Sequence, residues 1–176
     1  EASVVQHYWS LSVEEQFYFV WPILVLLLVW LSRRTRLSER YAVVTGLGLV
    51  VLASLAWSVH ATATDPAGAY FVTPTRIWEL GVGGLLAAVV AAPWSSGDRR
   101  RAVWARSALA WAGIAAMLLA GWAYSAETPF PGYQALLPVL GAAAVIAADS
   151  TSGGLSPGPV LALRPVQWLG DVSYSV

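Results

Sequence analysis

His7, Ser10, Glu14 and Tyr18 follow one another at spacings of three, four and four residues. On a helix they share one face. A histidine two turns from a carboxylate can share a hydrogen bond or a proton with it, and that contact tunes an imidazole for general-base work near neutral pH. The stretch runs straight into apolar sequence, where a carboxylate is costly unless solvated or paired, so its ionisable residues are functional candidates by default. Glu15 and Gln16 lie beside them and point to other faces. A second polar group, Arg76 and Glu79, heads a later apolar run. Arg76 either pairs with Glu79 on the helix surface or reaches an anionic group, or Glu14, across a bundle. The plainer reading of the first group is a helix start: Ser10 or Ser12 caps it, Ser12 and Glu15 have capping-box spacing, and the acids complement the helix dipole. His60 has no orienting partner and reads as an interfacial residue. Asp171 and Tyr174 are a thinner signal of the same kind.

The elements that must position these residues are membrane helices. Hydrophobic residues make up 57% of the 176-residue chain and charged ones 11%, against about a quarter charged in a soluble domain. The apolar residues come in blocks at about 16–32, 41–60, 76–92, 107–124 and 133–148, and roughly 20 such residues cross a bilayer core. The third and fifth blocks are short for a span. A sixth hydrophobic segment begins at PVQWLGDVSYSV. The expected fold is all-α: a polytopic transmembrane helix bundle of about five spans plus the start of a sixth, forming a single transmembrane domain over residues 1–176.

Zero net charge excludes the broad basic face that nucleic acid would need. The absence of cysteine removes thiol catalysis, disulfides and Cys-based zinc sites, and two histidines argue against a His-rich metal site. No bound cofactor is expected. The first residues lack a basic n-region and do not look like a signal peptide, so the chain is expected to be an excerpt. Eight of the ten arginines fall at 33–40 and 99–106. By the positive-inside bias these two loops are cytoplasmic, and the residues before the first span, the 61–75 loop and the 125–132 loop face outward. His7, Glu14 and Arg76 then belong to one side. Trp21, Trp30, Tyr41, Trp57, Trp94, Trp104, Trp122, Tyr124 and Tyr133 read as interfacial anchors. Gly84, Ala88 and Ala92 form a small-residue row for close helix approach.

The stretch HYWSLSVEEQFYFVWP at 7–22 resembles the signature of the acyltransferase-3 family, which reads approximately H-x-W-S-L-x-x-E-x-Q-F-Y-hydrophobic-x-W-P. TPTRIWELGVGG at 73–84 is similar to that family's R-x-x-E-hydrophobic-x-x-G segment. Phe130-Pro131-Gly132 with LPVLG at 137–141 resembles a later segment, and LGDVSY at 169–174 resembles its G-x-(I/V)-S-Y-S-hydrophobic motif. The four landmarks come in family order and cover essentially the whole chain.

The resemblance implies a membrane O-acyltransferase that moves an acyl group, often acetyl from acetyl-CoA, to hydroxyls of a cell-envelope glycan or glycolipid. It implies partners accordingly: an acyl-CoA donor, a carbohydrate or glycolipid acceptor and the lipid bilayer of the cell membrane. It places His7, Glu14 and Arg76 at positions associated with the active region and Ser10, Glu15, Gln16 and Tyr18 in the same motif, with Glu79 joining them as substrate-binding. It also implies spans before Glu1 with another histidine and an R-x-x-R motif, and a helix reading Y-L-W-H after Val176. Two rivals remain from the residues alone. One is a transporter or channel component using the polar cluster as an ion or proton pathway; its mark would be charges or broken helices near mid-span in matched halves, whereas the polar residues here sit at span ends. The other is a membrane scaffold without catalysis.

Overall fold

A computed structural model describes residues 4–35, 37–90, 99–125, 127–148 and 156–173; the side chains of 4–15, 90 and 99–102 lie outside the described residues. Every regular element among the described residues is helical: α1 (Val4–Thr35), α2 (Glu39–Thr64), α3 (Pro66–Phe71), a 3-10 turn (Thr73–Thr75), α4 (Ile77–Val90), α5 (Arg99–Ala123), α6 (Leu136–Ala148), α7 (Gly158–Leu161) and α8 (Arg164–Ser173). Among the described residues, three segments are long and apolar enough to cross a bilayer: Gln16–Thr35, Glu39–Thr64 and Val103–Ala123. Ile77–Val89 and Leu136–Ala148 are shorter apolar helices, at the two blocks that read as short in the sequence. Phe19, Ile23, Leu26, Leu27 and Trp30 of α1 and Leu49, Leu52 and Trp57 of α2 are exposed. In water such continuous apolar surface would be an association site; in lipid it is the ordinary outside of a span. The chain is a helical membrane protein.

The ends differ from the sequence blocks for local reasons. α2 runs on to Thr64, whose hydroxyl donates back to the carbonyls of His60 and Ala61. The expected 61–75 loop is therefore mostly helical. Asp65 accepts from the backbone N–H of Gly68 at 3.0 Å, with Pro66 in the first helical position, the usual way to open a helix. α5 includes Arg99–Arg106, because arginine is a good helix former and the basic run is helical ahead of the apolar block. The stretch PVQWLGDVSYSV, read as the start of a sixth span, lies in α8 as far as Ser173, and that helix is not one of the apolar ones. It is amphipathic, with Arg164, Gln167 and Asp171 at one helical stripe and Pro165, Trp168, Leu169 and Val172 at another.

The chain divides into two compact units, Glu1–Ala91 with Pro129–Gln134, and the remainder. Between membrane helices there is little hydrophobic drive, so close packing and hydrogen bonds hold them together. In the second unit, α5 and α6 cross at Gly113 and Gly141. A Cβ on Gly141 would lie 2.8 Å from the Gly113 carbonyl oxygen, and one on Gly113 would run into the Gly141 carbonyl. Ala110 and Ala120 of α5 and Ala148 of α6 are buried.

In the first unit the buried residues of α2 are Leu47, Val51, Ser54, Ser58 and Thr62, a stripe at helical spacing that turns polar toward the end of the helix. Ser54 Oγ donates to the Pro74 carbonyl at 2.6 Å and accepts from the Trp78 backbone N–H at 3.0 Å. Helix α4 needs this. Its first N–H groups lack helical acceptors, and the preceding Arg76 has only donors to offer, so α2 supplies the cap. Thr62 Oγ1 accepts from the Gly132 N–H at 3.0 Å. Gly132 has φ +38°, after a cis Phe130–Pro131 bond, and a positive φ is readily adopted only by glycine. At the opposite end, Arg40 donates to the Val89 carbonyl at 3.0 Å, satisfying an orphan acceptor at the negative end of α4.

Candidate functional site

Helix α1 carries His7, Ser10, Glu14 and Glu15 on its first turns, but their side chains lie outside the described residues. From Gln16 onward the site can be built atom by atom. Gln16, Phe17, Val20, Trp21 and Leu24 occupy successive turns of one side of α1. They line a cavity of about 360 Å³ completed by Val50 of α2, by Thr73, Pro74 and Arg76 of the 3-10 turn and its end, and by Ile77 and Leu80 of α4. The structure thus brings Gln16 and Arg76, two of the residues singled out from sequence, to one cavity.

Arg76 follows the Thr73–Thr75 turn in an αR conformation and is fixed by backbone. Its N–H donates to the Thr73 carbonyl, and its own carbonyl accepts from Glu79 N–H, both at 3.0 Å. Thr75 Oγ1 ties the same turn to α3 through the carbonyls of Ala69 at 2.7 Å and Val72 at 2.5 Å. With the Ser54 contacts, four side-chain hydrogen bonds hold this short segment and the start of α4 against α2 and the end of α3. The Arg76 guanidinium lies 4.5 Å from the Tyr70 ring centroid, a cation–π distance, rather than in a direct ion pair with Glu79. Glu79 is half-buried, does not line the cavity, and has a buried Oε1 without a hydrogen-bond partner among the described residues. Tyr18 is 71% exposed and meets Phe17 edge-on at 6.4 Å. It stands outside the cavity lining.

Several residues that build the site went unread in the sequence. Trp21 reads as an interfacial anchor, yet it stacks on Phe17 at 4.6 Å and its indole fills the notch left by Gly81 and Gly84. A Cβ on Gly84 would lie 2.8 Å from Trp21 Nε1. The small-residue row therefore begins by receiving a side chain; Ala92 of that row lies outside the described residues. The available signal was the pairing of a glycine step in α4 with an aromatic on the face of α1 that also carries Gln16. Ser54 and Thr75, buried polar residues that clip the turn, gave no signal beyond their polarity. Among the described residues no group of His, Asp and Glu is placed to hold a metal ion.

The two polar regions of this unit are chemically distinct. Arg33, Arg34 and Arg40 lie at the α1–α2 connection, where Arg33 pairs with Glu39 at 3.0 Å and Arg34 stacks on Trp30 at 4.9 Å. Gln16, Thr73 and Arg76 lie away from that connection, level with Val50 and Ser54 near the middle of α2. An apolar cavity with an arginine in its lining can bind an amphiphilic anion or place positive charge beside a reacting carbonyl.

The chain is similar to several known proteins. It is 29% identical over 176 residues to the putative peptidoglycan O-acetyltransferase YrhL of Bacillus subtilis, covering 99% of this chain and 27% of that protein. It is 30% identical over 185 residues to the peptidoglycan O-acetyltransferase OatA of Listeria monocytogenes, covering 99% and 28%. Over 170 residues it is 29% identical to the putative membrane-bound transacylase BcsY of Komagataeibacter xylinus, covering 97% and 39%. The chain thus spans well under half the length of these relatives. No solved structure matches it. The model of the acyltransferase domain matches residues 1–176 from end to end, and the chain belongs to the acyltransferase-3 family.

Proposed function

We propose that this chain is part of a membrane O-acyltransferase that transfers an acyl group, acetyl by similarity to the named relatives, to a hydroxyl of a cell-envelope glycan on the outer side of the membrane. The observation that carries the reading is the family match over every residue of the chain. The geometry supports it by setting Arg76 and Gln16, from two separate motifs, at one cavity. With acyl-CoA as donor, the acceptor hydroxyl attacks the thioester carbonyl, the C–S bond breaks, and CoA leaves as a thiolate that takes up a proton. The hydroxyl proton needs a base and the tetrahedral oxyanion needs positive charge or donors. His7 or Glu14 handles the proton or orients a partner histidine. Arg76 supplies charge to the oxyanion or to a donor phosphate. Ser10, Glu15, Gln16, Tyr18 and Glu79 contribute to substrate binding. The arginines of 33–40 and 99–106 face the cytoplasm by the positive-inside bias, which puts the Arg76 end outside, where the glycan is. The test is Glu14→Gln and Arg76→Ala in the full-length protein, with radiolabelled acetyl-CoA added to membranes. Each change should reduce glycan acylation at least about a hundredfold; unchanged acylation by correctly inserted protein refutes both assignments.

A further inference from the structure

We propose that the cavity between α1, α2 and α4 binds one hydrocarbon chain of a lipid phosphate, with the phosphate at Arg76 and Gln16 and the chain lying toward Leu24 and Leu80. Seven of its eleven lining residues are Phe17, Val20, Trp21, Leu24, Val50, Ile77 and Leu80, and walls of this kind do not hold water. An apolar cavity of about 150 Å³ takes a six-carbon ring, so 360 Å³ has room for a chain on the order of a dozen carbons. An acetyl group would fill a small fraction of it. From Gln16 to Leu24 the α1 wall is about 12 Å deep. Val20 and Leu80 line the cavity and are also exposed on the apolar surface, so a chain can enter sideways from the bilayer.

The cation selects among amphiphiles. In an acyl-CoA the phosphates are separated from the acyl chain by the whole pantetheine arm, so an acyl chain in the cavity could not place them at Arg76. In a lipid phosphate the anion is joined to the chain directly, which matches an arginine in the lining of a largely apolar cavity. The lipid is either a bilayer phospholipid or the carrier of a lipid-linked glycan; only the second form rests on the acyltransferase reading.

The full-length protein in nanodiscs is photolysed with a dodecyl phosphate carrying a diazirine at the far end of its chain, and with the matching dodecanol. Adducts are expected on the peptides holding Leu24 and Leu80. Arg76→Ala should lower labelling by the phosphate at least about tenfold and leave the alcohol unchanged. Val50→Trp should abolish both, with Leu49→Trp, on the exposed side of the same turn, as its control. If Val50→Trp does not fold, Leu80→Phe is read in its place. Labelling that survives cavity filling, or adducts confined to Leu26, Leu27 and Trp30, overturns the proposal. Displacement by phosphatidylglycerol and a lipid-linked disaccharide alike assigns a bilayer lipid; displacement by the disaccharide alone assigns a glycan carrier; displacement by neither overturns the site. Labelling in a protein that acylates nothing leaves this site standing and removes the functional reading, whereas acylation without labelling does the reverse.

Discussion

Ser54→Ala removes a single oxygen that holds Arg76's segment in place. Ser54 Oγ donates to Pro74 at 2.6 Å and accepts from the Trp78 N–H at 3.0 Å, and the residue is 8% exposed. Alanine leaves the Trp78 N–H at the start of α4 buried without an acceptor and frees the Pro74 carbonyl. Each hydrogen bond contributes about 1 kcal/mol net in soluble proteins. Between membrane helices the mean is about 0.6 and the largest values about 1.7 kcal/mol. Two bonds therefore bound the loss between about 1 and 3 kcal/mol, and we expect about 2, because the orphaned N–H has no water to turn to.

Equilibrium unfolding of the full-length protein in mixed micelles measures that loss. Activity should fall further than stability alone requires, because the released turn carries Thr73, Pro74 and Arg76 of the cavity wall. A misplacement of about 1 Å can cost on the order of a hundredfold in rate. Ser54→Cys, which keeps a weak donor and acceptor, should recover part of both losses. A Ser54→Ala protein within about 0.5 kcal/mol of wild type, with full acylation, would refute the claim that α2 caps α4 and positions Arg76.

Three further outcomes follow from single contacts. Gly113→Ala should destabilise by about 1–3 kcal/mol, because its Cβ meets the Gly141 backbone, whereas Gly121→Ala, with nothing within 4 Å, should change unfolding by less than about 0.5 kcal/mol. Gly84→Ala should cost about 1–3 kcal/mol by pressing on the Trp21 indole, and Trp21→Leu should relieve most of that cost in a double-mutant cycle. Thr62→Val should cost about 1 kcal/mol by removing the acceptor for Gly132 N–H; Thr62→Ser should restore it.

What the sequence made legible follows the physics of each signal. Apolar length is a bulk property, so the five apolar helices were readable from composition and block size, and so were the two that fall short of a span. Charge asymmetry is likewise a bulk property, and it set the arginines of the α1–α2 connection apart from Arg76 before any contact was known. Helix ends depend on single hydrogen bonds, and Thr64 and Asp65 each moved a boundary by a local interaction that periodicity does not encode. The site lay between these extremes. The family resemblance singled out Gln16 and Arg76, which the fold brings to one cavity across sixty residues of chain, whereas helical spacing set Gln16 aside and favoured Tyr18, whose side chain is exposed. What it could not reveal was the support: Ser54 is one serine in an apolar helix, and Trp21 is one of ten tryptophans. In lipid, an aromatic near a span end reads as an anchor whichever way it points, and a serine reads as tolerated polarity. Only the three-dimensional pairing of Trp21 with the Gly81–Gly84 notch, and of Ser54 with the open end of α4, shows that both positions exist to fix the wall in which Arg76 sits. A mutational survey ranked by polarity or by motif would miss them, and it is at these positions that acylation and stability should be lost together.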